Sequence, residues 1–293
     1  MSITFNCPHC KKVYRVADAK ARTTMKCRVC QEKMTVPTPP TPPPDIEPTP
    51  SGTPVFRHHA PAAPPKIVTH ATPFLEHIDR HVEKTIGPIA MVFHEKVSPT
   101  IHLDLLVVGP TNRRVSDKLP CGGKHFTIVT SGMSTQPMNV PRGYKGPKFM
   151  ELMIALPPDW PGLHADGTFD QKTMQDERSW WPFRRLKDAA RLPAEHNTFL
   201  GLGHTIPNGE NAAPYADNTR LGCMLVSLPL MAPESFDLVI NDNVSICFLA
   251  LMPIYPEEME LKLRDGGAKL DKLMDAADLT ELIDVKRPNL VKK

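Results

Sequence analysis

The stretch from Trp180 to Gly209 reads WWPFRRLKDAARLPAEHNTFLGLGHTIPNG and joins a predicted helix to a predicted loop. Pro182 suits the first turn of a helix, where its missing N–H costs nothing. Phe183 and Leu186 follow at helical spacing, which predicts that this side of the helix packs against a core. Pro193 is expected to end or kink the helix. The glycine-containing loop that follows has the composition of a binding loop held on a rigid scaffold.

The same stretch resembles the core signature of the suppressor-of-fused domain family in its bacterial form. Three further segments match in order: FTIVTSGMS (126–134), ELMIALPPDWP (151–161) and VKRPN (285–289). The resemblance extends over about residues 67–293. It implies a mixed fold of helices and strands, and a protein-binding rather than a catalytic role. Animal members clamp a peptide of a transcription factor, and some bacterial members are associated with toxin–immunity systems.

The resemblance also implies a binding face, because the family's partner peptide docks beside the segment that matches residues 192–204. The residues that it nominates for partner contact are Leu192, Asn197, Phe199, His204 and Asn208. The position before the histidine is acidic in animal members and is Gly203 here. We therefore do not expect the animal-type partner to bind this chain, although the same face can serve another partner. In an alternative interpretation, Asn197, His204 and Asn208 hold the loop together through hydrogen bonds to the backbone. The two interpretations are compatible.

Residues 1–36 carry two cysteine pairs, Cys7 with Cys10 and Cys27 with Cys30, separated by sixteen residues. This spacing is typical of a structural zinc ribbon, in which two CxxC turns complete a tetrahedron around Zn²⁺. A core this small needs the metal to fold, and metal binding would supply on the order of 10 kcal/mol. A redox-active pair is the alternative, but nothing around the cysteines resembles a thioredoxin unit.

Charge is unevenly distributed along the chain. Residues 1–36 hold eight Lys and Arg residues against Asp18 and Glu32, a net charge of +6, which leaves −3 for the rest of a chain whose total is +3. A basic ribbon can bind nucleic acid. We do not favour that function, because Phe5 and Tyr14 are the ribbon's only aromatic residues for stacking on bases.

We expect three segments. The cysteine spacing predicts a zinc ribbon (1–36), composition predicts a disordered proline-rich linker (37–66), and the resemblance implies a suppressor-of-fused-like domain (67–293). The longest apolar run, residues 246–252, is far below the ~20 residues that span a bilayer. The N-terminus does not resemble a signal peptide. The cysteines outside the CxxC pairs are scattered, which is typical of a reducing compartment. We therefore expect a cytoplasmic protein.

For the domain we predict an α+β fold with a mixed, mostly antiparallel sheet flanked by helices. Strands are expected at 89–93, 101–108, 126–130, 149–156, 221–228, 236–240 and 244–253. Helices are expected from Pro256 and from Lys269.

An enzymatic function is the rival interpretation. His196 and His204 lie eight residues apart and could share a metal in a hydrolase, and His102 and Asp104 could form a functional pair. The sequence contains no HExxH, GxSxG or Walker motif. We therefore predict a protein-binding module and not an enzyme.

Overall fold

The computed structural model describes residues 2–17, 20, 23–37, 45–58, 67–68, 73–96, 98–112 and 123–292. Contacts divide the chain into two units. The first comprises Met1–Ile46 and Phe56–Lys66, and the second comprises Glu47–Val55 and Ile67–Lys293. We call the second unit the body.

The N-terminal unit contains two antiparallel hairpins. Their strands are β1 (Ser2–Asn6), β2 (Val13–Ala17), β3 (Thr24–Lys26) and β4 (Lys33–Thr35). Each hairpin has one CxxC pair in its turn, and Cys7, Cys27 and Met34 are buried together between the hairpins. The described part of this unit therefore has the arrangement expected of a small ribbon built around its cysteines.

The described part of the proline-rich segment differs from the structureless linker that its composition predicts. Strands β5 (Asp45–Glu47) and β6 (Val55–Arg57) pair with each other. Between them, the hydroxyl of Thr49 donates to the carbonyl oxygen of Thr53 at 2.6 Å, and Gly52 has a φ of 78°. Ser51 N–H donates to Leu263 O in the body at 3.2 Å. Local turn chemistry therefore outweighs proline content here.

An eight-stranded sheet forms the centre of the body. Its strands, in chain order, are β8 (Ile89–Phe93), β10 (Asp104–Asn112), β11 (Lys124–Ser131), β12 (Phe149–Leu156), β13 (Thr205–Pro207), β14 (Cys223–Ser227), β15 (Asp237–Asn241) and β16 (Val244–Ile254); a separate pair is formed by β7 (Ile67–Val68) and β9 (Ser98–Pro99). The spatial order is β13-β14-β16-β12-β11-β10-β8, and β15 pairs with β16. The pair β12–β16 is parallel and the other pairs of this sheet are antiparallel, as expected of a mixed, mostly antiparallel sheet.

Helices cover both faces of the sheet, because its central strands are apolar on both sides. The helices are α1 (Leu75–Thr85), α2 (Glu177–His196), α3 (Pro256–Asp265) and α4 (Gly267–Ala276), with short 3₁₀ turns at Met133–Thr135, Thr173–Gln175 and Pro233–Ser235. One face packs Trp181 and Leu186 of α2, and the opposite face packs Ile78 and Val82 of α1. The α+β architecture is confirmed.

Helix α2 begins earlier and ends later than the prolines predict. Asp176 caps its first turn by accepting a hydrogen bond from Arg178 N–H at 2.9 Å. Pro182 thus lies inside the helix, and the carbonyl of Arg178 that it leaves unpaired accepts from Asn218 Nδ2 at 3.4 Å. A replacement donor together with burial of the helix face outweighs the local cost of proline.

The end of α2 sets the direction of the loop that follows. The helix continues past Pro193 to His196, so Pro193 does not end it, and of the two predicted outcomes the end at this residue is wrong. Asn197 caps it in the left-handed conformation, with φ 50° and ψ 49°, and Thr198 N–H donates to Pro193 O at 3.0 Å. Asparagine tolerates this conformation better than most residues, so Asn197 is the natural end point.

Candidate functional site

The four cysteines of the N-terminal unit converge on one point. Their Sγ atoms all lie within 4.8 Å of one another, with Cys7 and Cys30 at 3.7 Å and Cys10 and Cys27 at 3.5 Å. A tetrahedral site with Zn–S bonds of about 2.3 Å has sulfur–sulfur edges of about 3.8 Å. The cluster therefore has the ligand type, number and spacing to hold one metal ion.

The backbone builds both cysteine turns in the same way. In the first turn Cys7 N–H donates to Lys12 O at 2.8 Å, and Lys11 N–H donates to Cys7 O at 3.0 Å. The second turn repeats these bonds at 2.9 and 3.0 Å. Lys11 and Gln31 occupy equivalent left-handed positions, with φ of 60° and 61°. Each turn thus directs its two thiols to one side.

Hydrogen bonds around Cys27 favour its thiolate. The N–H of Cys30 donates to its Sγ, and the hydroxyl of Tyr14 lies 3.2 Å away. Because Arg28 N–H already donates to the Tyr14 oxygen at 2.7 Å, the hydroxyl proton is directed at the sulfur. These bonds lower the pKa of Cys27 to about 5. The thiolate is the form that binds metals, so the surroundings of Cys27 suit a ligand. No motif or spacing in the sequence predicts this role for Tyr14.

In the body, the loop after α2 is fixed at both ends. Asn139 Nδ2 donates to Asn197 O at 2.9 Å, and Asn139 N–H donates to Thr198 O at 3.1 Å. Further on, Gly203 N–H donates to Val226 O at 2.8 Å, and Val226 N–H donates to His204 O at the same distance. The loop is therefore a rigid extension of the sheet edge.

Aromatic rings pack against one another at this loop, and one apolar side chain of the loop stays exposed to solvent. The ring centroid of Phe199 lies 4.9 Å from that of Tyr144 and 5.1 Å from that of His204. The Tyr144 hydroxyl approaches Gly201 closely, so a Cβ there would come within 2.4 Å of the hydroxyl oxygen and the tyrosine side chain would have to shift. Leu202 is 57% exposed. We call Tyr144, Phe199, Leu202 and His204 the docking face.

The structure separates the predicted contact residues by role. Leu192 packs against the core, and Asn197 ends the helix. Asn208 holds the next turn by donating through Nδ2 to the carbonyls of Ala213 and Pro214, at 2.8 and 3.2 Å. The side-chain bonds of Asn208 are of the kind that the loop-holding interpretation describes, whereas Asn197 acts through its backbone. Phe199 and His204 share the docking face.

The segment 132–134, within FTIVTSGMS, is held by one buried carboxylate. Glu151 on β12 accepts hydrogen bonds from the N–H groups of Gly132, Met133 and Ser134 and from the hydroxyls of Ser134 and Thr130, at 2.5 to 3.3 Å. Burial raises the pKa of Glu151, and these hydrogen bonds oppose that change. Glu151 thereby joins two of the sequence motifs, because it belongs to ELMIALPPDWP.

Next to this turn lies a small cleft of ≈ 210 Å³, between residues 133–139 and the end of α2. Its walls include Met138, Pro193 and Asn197. Ligand pockets for small molecules usually measure about 300–1,000 Å³, so this cleft suits a single side chain better than a substrate.

The motif VKRPN anchors the C-terminal segment. Arg287 forms a two-pronged ion pair with Glu258 of α3, at 2.8 and 2.5 Å, and both residues are buried. Glu258 also accepts from Tyr255 N–H at 2.9 Å and from Leu290 N–H at 3.0 Å. This motif therefore contributes to stability, away from the docking face.

The groups proposed for catalysis are poorly placed for it. Among the described residues, only the four cysteines provide three or more His, Cys, Asp or Glu ligands close enough for a metal, so His196 and His204 are not part of such a group. His102 lies between Ser98 and Asp104, at 2.9 and 3.3 Å, but Ser98 is only 1% exposed and beyond a substrate's reach. The cysteines outside the CxxC pairs supply no activated thiol among the described residues: burial raises the pKa of Cys223 and Cys247 to about 12, and Cys121 lies outside the described residues.

These features define the class of protein: an α+β domain with a mixed sheet, accompanied by a cysteine cluster that can hold a metal ion. The chain belongs to the suppressor of fused protein (SUFU) family, whose sequence profile matches residues 99–288. This family is known for regulation through protein interactions. No curated protein matches the chain. No helix in the described part of the chain is both long and apolar enough to cross a membrane.

Solved structures are similar to this chain at low sequence identity. The structure of a Sufu–Fu complex matches with a TM-score of 0.51 and 14% identity, over 75% of this chain and 93% of that one. A SUFU homologue from Neisseria gonorrhoeae FA 1090 gives 0.47 and 17%, over 74% and 97%. Drosophila Suppressor of Fused gives 0.47 and 14%, over 71% of this chain and 48% of that one. This chain thus spans about half of the Drosophila protein.

Proposed function

We propose that the body binds a protein partner through the docking face and acts as a scaffold, a regulator or an immunity-type protein. The observation that carries the proposal is Leu202, a large apolar side chain that is 57% exposed on a loop fixed by backbone hydrogen bonds at both ends. Exposed apolar groups on a rigid support are favourable for binding, because little conformational entropy is lost. The family, and the Sufu–Fu complex in particular, support a protein as the partner.

Within this face we expect Phe199 and Leu202 to provide the apolar anchor and His204 to contribute orientation. The ring of His204 packs against Phe199, and burial lowers its pKa, so it is neutral near pH 7. Truncation of a central anchor in an interface typically costs about 2 kcal/mol or more.

The test is to capture partners from native lysate with the full chain, purify the main one, and measure its affinity for variants by calorimetry. Phe199→Ala and Leu202→Asp should each weaken binding, whereas the exposed Lys269→Ala should leave it unchanged. Unchanged affinity in both loop variants, with folding intact, would exclude this face. A hydrolytic activity that is abolished by His204→Ala would show that the protein is an enzyme.

We further propose that Cys7, Cys10, Cys27 and Cys30 bind one structural Zn²⁺. The sulfur–sulfur distances given above support this proposal. Metal analysis should find one zinc per chain, lost in Cys27→Ser and kept in Cys223→Ser. An N-terminal unit that folds without metal would refute it. All the cysteines in the described residues are free thiols, which supports action in a reducing compartment such as the cytoplasm.

A further inference from the structure

A loop beside the docking face is rich in exposed basic side chains. It spans residues 138–148, and Met138 N–H closes it by donating to Lys148 O at 2.7 Å. Its sequence, MNVPRGYKGPK, contains three basic residues and no Asp or Glu. We call residues 138–148 the basic loop. The side chains of Arg142, Lys145 and Lys148 are all exposed, and none of them forms a hydrogen bond or an ion pair with the described residues. These charges are therefore accessible to a binding partner.

The basic loop is attached directly to the loop after α2. Asn139 holds it to the end of that helix through the two hydrogen bonds described above. Leu200 N–H donates to the Sδ atom of Met138 at 3.4 Å. Tyr144, at the centre of the basic loop, packs its ring against Phe199. The basic loop is thus part of the docking face and not merely its neighbour in sequence.

Two of the basic residues lie close to Tyr144 because of the path of the chain. Tyr144 N–H donates to Pro141 O at 3.0 Å, and Gly143 has a φ of 84°, so Arg142 lies in a tight turn next to the tyrosine. Consecutive Cα atoms are about 3.8 Å apart, so the Cα atoms of Lys145 and Arg142 lie within about 4 and 8 Å of that of Tyr144. Charges are screened over about 8 Å at physiological salt. A charged segment that covers Tyr144 is therefore within range of both.

The charge around the docking face is positive, whereas the chain beyond the ribbon has a net charge of −3. Residues 197–209 contain no Asp or Glu, like the basic loop. Acidic residues lie at the border: Glu195 is in the last turn of α2, and Asp237 of β15 is paired with Cys247. Burial raises the pKa of Tyr144, and Cys247 acts in the same direction, which places Tyr144 near that border. The two segments that form the docking face therefore carry three basic side chains and no acidic one.

The rings of the docking face are not arranged to stack on nucleic-acid bases. The ring of Phe199 meets that of Tyr144 at 61° and that of His204 at 65°, so these rings pack against one another. The most exposed apolar group is the aliphatic Leu202. Single strands of nucleic acid are bound on open aromatic faces, so these features favour an acidic peptide as the anion.

We propose that the partner segment on the docking face is acidic: apolar residues cover Phe199 and Leu202, and Asp or Glu residues beside them are attracted by Arg142 and Lys145. This inference rests on the proposed function and specifies the chemistry of the partner. Exposed charges at the rim of an interface act mainly on the association rate and on its dependence on salt. The effect of the basic loop is therefore expected in the association rate.

The experiment uses a random-peptide display library selected on the immobilised full chain at pH 7 and low salt. Peptides that bind the wild type but not Leu202→Ser are kept, since they occupy the docking face and serine adds no charge. We expect the kept peptides to contain more Asp and Glu than Lys and Arg. Their association rate should fall about 10-fold as salt is raised from about 30 to 300 mM.

A double variant tests the basic loop itself. Arg142→Gln/Lys145→Gln should lower the association rate at low salt about 10-fold and remove most of its salt dependence, with little change in the dissociation rate. Arg80→Gln/Lys84→Gln is the matched control, because it also removes one arginine and one lysine from exposed positions. These lie on α1, which packs against the opposite face of the sheet, so this variant should behave like the wild type.

The outcomes separate this inference from the docking face. Face-dependent peptides that are neutral or basic, or that associate equally fast with the wild type and with Arg142→Gln/Lys145→Gln, would overturn the inference and leave the docking face intact. A single-stranded oligonucleotide that binds the wild type but not Leu202→Ser would overturn it in favour of a nucleic acid. If no peptide depends on Leu202, both the docking face and the inference fail.

Discussion

The buried carboxylate of Glu281 should make the stability of the body depend on pH. Glu281 is 1% exposed; its Oε1 accepts from Met231 N–H at 2.8 Å, and its Oε2 has no hydrogen-bond partner. Burial raises its pKa from 4.5 to about 7. The neutral acid is therefore favoured in the folded state. Stability due to this group is fully present below pH 4.5 and is lost as pH rises through 7.

The size of the effect follows from these two pKa values. Each pH unit between them changes the free energy of unfolding by about 1.4 kcal/mol. From pH 5 to pH 8, the wild type should lose about 2.5 kcal/mol through this group alone. Glu281→Gln cannot titrate, so its stability relative to the wild type should rise by about 2.5 kcal/mol over the same range. Other titrating groups cancel in that comparison.

Urea denaturation of the full chain, followed by tryptophan fluorescence, measures this difference. All three tryptophans, Trp160, Trp180 and Trp181, lie in the body, so the signal reports its unfolding. The exposed Glu260→Gln is the matched control and should show no such trend. An equal difference between Glu281→Gln and wild type at pH 5 and pH 8 would show that Glu281 titrates normally and that the burial argument is wrong.

Three further substitutions test the buried polar contacts by the same assay. Arg287→Met should cost about 3–5 kcal/mol, because it leaves Glu258 charged and unpaired, and a loss below 1 kcal/mol would contradict that role. Glu151→Gln should lower the free energy of unfolding by about 2–4 kcal/mol, because the glutamine NH₂ group would face hydrogen-bond donors that the carboxylate had satisfied. An unchanged free energy of unfolding would mean that the turn can rearrange. Gly132→Ala should destabilise the body strongly, because the added Cβ would lie 2.1 Å from the carbonyl oxygen of His102, and an unchanged urea midpoint would refute this.

Local features of this protein could be predicted from its sequence. The convergence of the cysteines follows from two short turns, each of which is complete within a few residues. Strands β8 and β12 lie where the apolar runs 89–93 and 149–156 predict them. The α+β class follows from such runs and from the family resemblance.

Features that depend on distant contacts could not be predicted. The start of α2 could not be predicted from Pro182, because Asn218, which is distant in sequence, supplies a replacement donor and the helix face is buried. The docking face needs Tyr144 beneath Phe199, and Lys262 reaches Thr205 from a helix that is far along the chain. No periodicity or spacing in the sequence predicts such contacts. The loop motif indicated where to look, but not that Leu202 is the exposed group.

The parallel pair of β12 and β16 has a consequence for how the protein is made. Residues 157–243 separate the two strands and include α2 and the docking-face residues Phe199, Leu202 and His204. The centre of the sheet cannot close until the ribosome has delivered β16, which ends at Ile254. Pairings between such distant segments form slowly, because a long loop must close first. A nascent or truncated chain that lacks β16 would therefore carry the residues of the docking face without the support that shapes it, so partner binding should be restricted to chains in which the body is complete.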